Sequence, residues 1–325
     1  MSRAAVTLII KQLLSDGLVY ERGHGASKGG RRPVLLEFAK DARVILAYNW
    51  HYRRLVATNL ASEVLAERLV QVPADADPPT FVRALGAAIA EFVPGAGLIR
   101  DRIVGLGLVM PGLIGGRDSD EVVLSIAQGW HNVPLKQMLE RETGIKTCLE
   151  ADAFADAYGE YLGERGRESR SFVLFSVEDV GIGIAVIENG RLKKGSNGML
   201  GEVGHIRLSE TGPVCACGKR GCLQALILQG VADNGGSWLG KPALYVGWGI
   251  ALVVNVLDPR KVVLAGPVVG GPMGDDFFQA ARSAALDNIL DADEREVEIR
   301  RAVLGDAAWI TGITGLVYDR VFEAG

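Results

Sequence analysis

The chain has 325 residues, 48% hydrophobic and 23% charged, with a formal net charge of −4, a balance that excludes a disordered or fibrous protein and fits two globular lobes or domains. Its longest apolar runs, such as Trp248 to Leu257, fall far short of the roughly 20 residues of a membrane-spanning helix. Residues 1–40 carry seven Lys/Arg against three acids, so a basic end sits on an acidic body, a distribution that favours a nucleic-acid contact.

Ser2 is a favourable N-cap, Val6, Ile9, Ile10, Leu13 and Leu14 recur at helical spacing, and Gly17 supplies a stop, which predicts a helix between them. "LVYERGHGASKGGRRPVLLEF" (18–38) then reads as strand, glycine-rich basic tip and strand, with Pro33 where the second strand begins. Helix followed by basic hairpin is the back half of a winged helix-turn-helix. Arg3, Thr7 and Lys11 lie on the helix face away from Val6, Ile10 and Leu13, where they can reach a major groove. Lys28, Arg31 and Arg32 on the wing can reach phosphates. A plain surface helix with a solvated loop remains the alternative. In a helix-turn-helix the apolar face packs on two earlier helices, so the expectation is either a start inside a longer gene or a face docked elsewhere, such as on a partner subunit.

The body alternates strand and helix signals. "ARVILAYNW" and "RRLVATNLASEVLAERLVQV" predict a strand and a hairpin, "DPPTFVRALGAAIAEFV" a helix, and "DRIVGLGLVMPGLIGG" a buried strand running into a loop. "PLKQMLERETG", "IKTCLEAD" and "AFADAYGEYLGERG" predict helix, strand and helix. "SFVLFSVEDVGIGIAVIENGRLKKG" predicts two strands and an Asn-Gly hairpin. Beyond Gln224, "ALILQGVADNGGSWLGKPAL" reads as a short glycine-rich bridge. "YVGWGIALVVNVLD", "KVVLAGPV" and "WITGITGLVYDRVFEA" close the chain as helix, strand and helix. Two α/β units of this kind predict paired lobes with a cleft between them.

"GEVGHIRLSETGPVCACGKRGCLQ" (201–224) holds His205 and three of the four cysteines, Cys215, Cys217 and Cys222, with glycines at 212, 218 and 221 to fold the loop back. Four N/S donors on one tightly turning loop predict a closed, structural Zn²⁺ site, with no open position for catalysis. A disulfide fits less well, because Cys148 is remote in an apolar stretch and no secretion signal marks an oxidising compartment.

"SDGLVYERGHGASKGGRRPVLLEF", "GWHNVPLKQMLERETGI", "ADAFADAYGEYLG", "NGRLKKGSNGMLGEVGHI" and "GPVCACGKRGCLQ" occur in the order seen in the ROK family of repressors and sugar kinases, which this chain resembles over nearly its whole length. The resemblance implies an α/β fold of the two-lobed, actin-like sugar-kinase type with a ribonuclease-H-like core, usually dimeric or tetrameric, preceded by a partial winged helix-turn-helix. Residues 1–40 would be that DNA-binding part, 41–155 the first lobe, and 156–325 the second lobe, with the last helix returning to the first. The "GGRRP" wing is similar to that of the family's repressors.

The resemblance also implies site residues. The family's kinases take a proton from a sugar hydroxyl with the aspartate of an Asn-Asp-Ala motif. "EADAFA" (150–155) places Asp152 at that base and Ala151 at the sugar-binding asparagine, and a carboxylate is the right group to accept the proton. Glu202 matches a residue that holds sugar hydroxyls, and His205 one that both binds zinc and faces the sugar. Gln224 replaces a glutamate, keeping its size while losing its charge and adding donors. Taken alone, Asp152 and Glu202 would read as ordinary solvated carboxylates.

The nucleotide side departs further. In place of the Asp-x-Gly-Gly-Thr phosphate loop stands "AYNWHYRRL", with Asn49 for the acid and Trp50, His51 and Tyr52 for small residues, side chains expected to block the phosphates, although Arg53 and Arg54 could still attract anions. In the second loop, "SVEDVGIG", Glu178 and Asp179 would repel a triphosphate unless a metal sits between them. "AGPV" (265–268) is incomplete at the adenine side. The resulting expectation is a cytoplasmic, sugar-responsive transcriptional regulator that binds a monosaccharide or amino sugar without phosphorylating it. Asp152 is then a vestigial base, and operator DNA a partner if the N-terminal domain is complete. The alternative is an ATP-dependent glucokinase or amino-sugar kinase.

Overall fold

A computed structural model of the chain describes residues 2–26, 32–73, 75–115, 120–163, 170–179 and 181–323. Ser2 Oγ accepts the Ala5 N–H at 3.2 Å and starts helix α1 (Arg3–Ser15); Gly17, at φ +68°, supplies the turn that ends it. Strands β1 (Val19–His24) and β2 (Val34–Phe38) pair antiparallel behind it. No residue of α1 is buried, and Leu8 is 68% exposed, so among the described residues the apolar face has no cover. Arg3, Thr7, Lys11 and Arg32 are exposed as expected of DNA-facing residues. Lys28 and Arg31 lie outside the described residues.

The first lobe is built on a five-stranded sheet of order β10-β6-β3-β4-β5. Strands β3 (Val44–Asn49), β4 (Arg54–Thr58) and β5 (Val64–Leu69) form an antiparallel meander. Helix α2 (Pro78–Gly95), capped by the Asp77 carboxylate on the Thr80 N–H, crosses over to β6 (Ile103–Met110), which runs parallel to β3. A small sheet of β7 (Leu113–Gly115), β8 (Glu121–Ser125) and β9 (Trp130–Val133) follows, where the sequence reads as loop. Helix α3 (Leu135–Thr143) then leads to β10 (Thr147–Ala151), parallel to β6.

Helix α4 (Asp152–Gly163) starts at once from β10 and passes to the second lobe, a sheet of order β13-β12-β11-β14-β15. Strands β11 (Phe172–Glu178), β12 (Gly181–Glu188) and β13 (Arg191–Lys193) are antiparallel. Helix α5 (Leu223–Asp233) takes up the first part of the stretch read as a bridge, burying Leu223, Ala225 and Ile227. That correction has a plain cause: its apolar period is one helical turn of buried side chains, too short to stand out beside Gly235 and Gly236. Helix α6 (Lys241–Leu257) precedes β14 (Lys261–Ala265), and α7 (Pro267–Gly270), α8 (Gly274–Leu286) and α9 (Ala292–Arg295) precede β15 (Glu298–Arg301).

The last helix, α10 (Ala308–Glu323), lies on β3, β6 and β10 of the first sheet and along α4. Glycine in β6 permits this approach: a Cβ at Gly107 would come within 2.3 Å of the Ile313 side chain. Ile313 and Val317 are buried there, each such burial contributing about 1.5–3 kcal/mol. No helix of the described residues is long and apolar enough to cross a membrane.

Candidate functional site

The loop after the second-lobe hairpin brings its four predicted donors together. The ligand atoms of His205, Cys215, Cys217 and Cys222 all lie within 4.8 Å of one another. Cys217 Sγ is 3.7 Å from Cys222 Sγ, and Cys215 Sγ is 3.4 Å from His205 Nδ1. With metal–sulfur bonds of about 2.3 Å, the edge of a tetrahedron is about 3.8 Å, so the donor set fits a tetrahedral ion. Local backbone geometry does the gathering. The Cys215 N–H donates to the Lys219 carbonyl and the Gly218 N–H to the Cys215 carbonyl, closing a tight turn. Gly221, at φ +70°, passes so near Ser209 that a Cβ would lie 1.8 Å from its carbonyl oxygen. Cys222 then begins α5. Cys148 is buried in β10, and burial pushes its thiol up to about 11.

Beside this loop a cavity of about 450 Å³ opens between the lobes, lined on its polar side by Asp152, Glu202, His205 and Gln224. The four residues assigned to a sugar by resemblance thus share one wall system. His205 turns Nε2 to Glu202 Oε2 at 3.6 Å, on the side of the ring opposite the sulfurs. Gln224 rests against backbone, since a Cβ on Gly181 would stand 2.8 Å from its Oε1. Asp152, at the first turn of α4, is half-buried as a residue, but its Oδ1 is sealed from solvent and has no hydrogen-bond partner among the described residues. Burial, reinforced by the Glu178 charge, raises its pKa to about 7.

Two further residues of this cavity escaped the sequence reading. Glu150 is 1% exposed and accepts a charged hydrogen bond from Lys194 Nζ at 2.6 Å. Both line the cavity, and the Lys194 ammonium stands over the Phe154 ring. Each lay inside a quoted motif, but their pairing spans 44 positions and joins two lobes, which no local pattern reveals.

A second cavity of about 240 Å³ adjoins the first and shares Asp152, Glu178, Pro111 and Ala127 with it. Here the expected obstruction takes a different form. Trp50 does not fill the space: its indole is 4% exposed and packs on Phe81 and Trp130, with ring centroids 4.5 and 5.3 Å away. Asn49 is also buried, and its Oδ1 accepts the Tyr52 N–H. His51, Tyr52 and Arg53 line the cavity together with Asp152, Asp156 and Glu178. Burial first, and then the Glu178 charge, holds Asp156 well above the usual carboxylate range. Three carboxyl groups and the Arg53 guanidinium thus share one small space. The 265–268 stretch forms the bend into α7 beside a third, smaller cavity of about 60 Å³.

Comparison with known proteins agrees with this geometry. The ROK family profile matches residues 51–231. The chain is 28% identical to the xylose repressor of Caldicellulosiruptor bescii over 98% of this chain and 88% of that protein. A solved ROK family transcriptional regulator, described as a homologue of the Escherichia coli MLC protein, superposes with a TM-score of 0.77 at 21% identity, covering 99% of this chain and 92% of that one. A ROK family glucokinase from Streptomyces griseus, solved with glucose and AMPPNP, gives 0.67 at 21% identity, covering 84% and 98%. The two-lobed, actin-like fold is common to both structures.

Proposed function

The chain belongs to the ROK family, and from that premise we propose that it is a sugar-responsive transcriptional regulator that binds its sugar without phosphorylating it. The observation that carries this reading is the contrast between two adjoining cavities. The first gathers Asp152, Glu202, His205 and Gln224, donors and acceptors suited to sugar hydroxyls. The second, on the phosphate side, places the bulky His51 and Tyr52 where small residues would admit phosphates, with three carboxyl groups beside Arg53. The effector is a monosaccharide or amino sugar. A structural Zn²⁺ at His205, Cys215, Cys217 and Cys222 supplies no chemistry of its own and holds the loop that carries Glu202 and Gln224. Asp152 serves as a hydrogen-bonding remnant of a catalytic base.

The exposed face of α1 and Arg32 of the wing support operator DNA as the macromolecular partner, with Arg3, Thr7 and Lys11 toward bases and Lys28, Arg31 and Arg32 toward phosphates. The molecule acts in the cytoplasm as a homodimer or homotetramer. Sugar binding between the lobes shifts their closure and so the spacing of two recognition helices. The domain division is 1–40 for DNA, 41–155 and 156–325 for the lobes, with α10 returning to the first sheet.

The test combines three measurements on one preparation: thermal shift against hexoses, pentoses and amino sugars, gel shift on the DNA upstream of its own gene, and ATP turnover with each sugar. The expected result is a sugar that stabilises the protein and alters DNA binding with no sugar phosphate formed. Sugar phosphate in the presence of ATP and Mg²⁺ would return the chain to the kinases.

A further inference from the structure

The second cavity sets Asp152, Asp156 and Glu178 beside Arg53, and one imidazole and two carboxylates at its edge come together as they would around a cation. His51 stands in the turn between β3 and β4 of the first lobe; Glu178 and Asp179 stand at the β11–β12 turn of the second. Their three ligand atoms lie within 4.8 Å of one another, and His51 Nε2 is 3.5 Å from Asp179 Oδ1. Metal bonds of about 2.1 Å in a tetrahedral set ask for donors about 3.4 Å apart, so the His51–Asp179 edge is already in place. Glu178 needs only a side-chain adjustment. Ser176 Oγ donates to Glu178 Oε1 at 2.7 Å, which orients the carboxylate and leaves Oε2 for a ligand, the kind of supporting bond that metal-binding carboxylates carry.

An independent observation points to a polar group that the site still lacks. Asp152, which lines the same cavity, keeps a sealed Oδ1 with no partner among the described residues, and an unmatched buried oxygen is costly unless something outside the chain satisfies it. The nearby cation does not do so. Arg53 donates Nη1 to the Val72 carbonyl and lays its guanidinium against Trp50, 5.5 Å from the ring centroid.

We propose that His51, Glu178 and Asp179 bind one divalent transition-metal ion that bridges the two lobes at the second cavity, with Asp152 facing it from the cavity wall. One imidazole and two carboxylates suit borderline ions of the Mn²⁺ to Zn²⁺ series rather than a thiolate-seeking one. The ion takes the place of a nucleotide as the group that joins the lobes, and it does so independently of which sugar occupies the neighbouring cavity.

The experiment is a Co²⁺ titration of full-length, tag-free protein loaded with Zn²⁺ and then stripped with a mild chelator until elemental analysis gives one Zn²⁺ per chain, which leaves the thiolate site filled and the carboxylate site empty. One equivalent of Co²⁺ is expected to bind with visible d–d bands and without the near-ultraviolet charge-transfer band of cobalt thiolate. His51→Ala and Asp179→Asn should each weaken Co²⁺ binding at least about tenfold, while Asp233→Asn, an exposed acid elsewhere, leaves it unchanged. Both site variants keep the cysteine zinc, measured by elemental analysis, which shows that they fold. No Co²⁺ binding, binding only with the thiolate band, or unchanged affinity in both variants would overturn the proposal. None of these outcomes bears on sugar or DNA binding, so failure here leaves the regulatory reading standing.

Discussion

Glu202 Oε2 lies 3.6 Å from His205 Nε2, while the other nitrogen of that imidazole, Nδ1, lies 3.4 Å from Cys215 Sγ. One ring therefore joins the cysteine cluster to the wall of the interlobe cavity. A partner on one imidazole nitrogen fixes the tautomer and ring angle at the other, so the state of the cluster is felt by a carboxylate of the cavity wall.

Purified protein should contain one zinc per chain. Removing it with a chelator should expose three reactive thiols, Cys215, Cys217 and Cys222, and abolish the sugar-dependent thermal shift. Cys148, fully enclosed and with its thiol held at about 11, should react only after denaturation. Elemental analysis with thiol counting decides this; absence of stoichiometric zinc would sink it.

Gly181→Ala should weaken sugar binding roughly five- to tenfold. The new Cβ would stand 2.8 Å from Gln224 Oε1 and must push that amide from its seat, losing a hydrogen bond of about 1 kcal/mol net. Asp152→Ala should cost more, about 1–3 kcal/mol, through a charge-assisted bond. Calorimetry on the sugar found in the panel measures both, and unaltered affinity in Asp152→Ala would remove the cavity from consideration as the sugar site.

Asp152 also predicts a pH signature, in protein without added divalent cation. Its folded pKa, about 7, lies above the ordinary aspartate value of 3.8 because burial, and then the Glu178 charge, penalise the carboxylate. The folded state therefore holds more protons than the unfolded chain between about pH 4 and 7, and stability contributed by this group falls as pH rises through that window. Above pH 7 the loss is complete. Asp152→Asn cannot charge, so its melting temperature relative to wild type should climb from pH 5 to pH 8. A difference that stays flat across that range would contradict the assignment.

Lys194→Met should destabilise the protein by about 3 kcal/mol, at the lower end for a broken buried pair because the lysine keeps some solvent contact. Glu150, 1% exposed, would then hold a charge without its partner. Adding Glu150→Gln should restore at least half of the loss, since the amide needs no counter-ion. Chemical denaturation of the single and double variants gives the comparison.

Lys11→Ala and Arg32→Ala should each weaken binding to the target DNA, and Arg32→Ala should lower the slope of log affinity against log salt by about 1, as loss of one phosphate contact does. Fluorescence anisotropy at several salt concentrations reads this directly. Equal slopes would place Arg32 away from the backbone.

The sequence by itself determined the local pieces. Ser2 and Gly17 bound α1 because capping is decided within a turn. The cysteine knuckle was legible because its three thiols and one imidazole fall within eighteen positions on a loop whose glycines allow only a tight path. The buried strands of both sheets announced themselves as short apolar runs such as residues 44–49 and 172–177. That Asp152, Glu202, His205 and Gln224 would share one cavity was legible through family resemblance rather than periodicity.

Only the tertiary structure decided what those pieces face. Trp50 reads in sequence as an obstacle to phosphates, yet the packing of Phe81 and Trp130 around it draws the indole into the core and leaves His51 and Tyr52 at the cavity. The pairing of Glu150 with Lys194, the sealed Oδ1 of Asp152, and the meeting of His51 with Asp179 across the lobes all join residues distant in sequence. Long-range contacts of this kind follow from how two sheets and α10 close on each other, and burial and neighbouring charge, which set the chemistry of a carboxylate, exist only once that closure has happened.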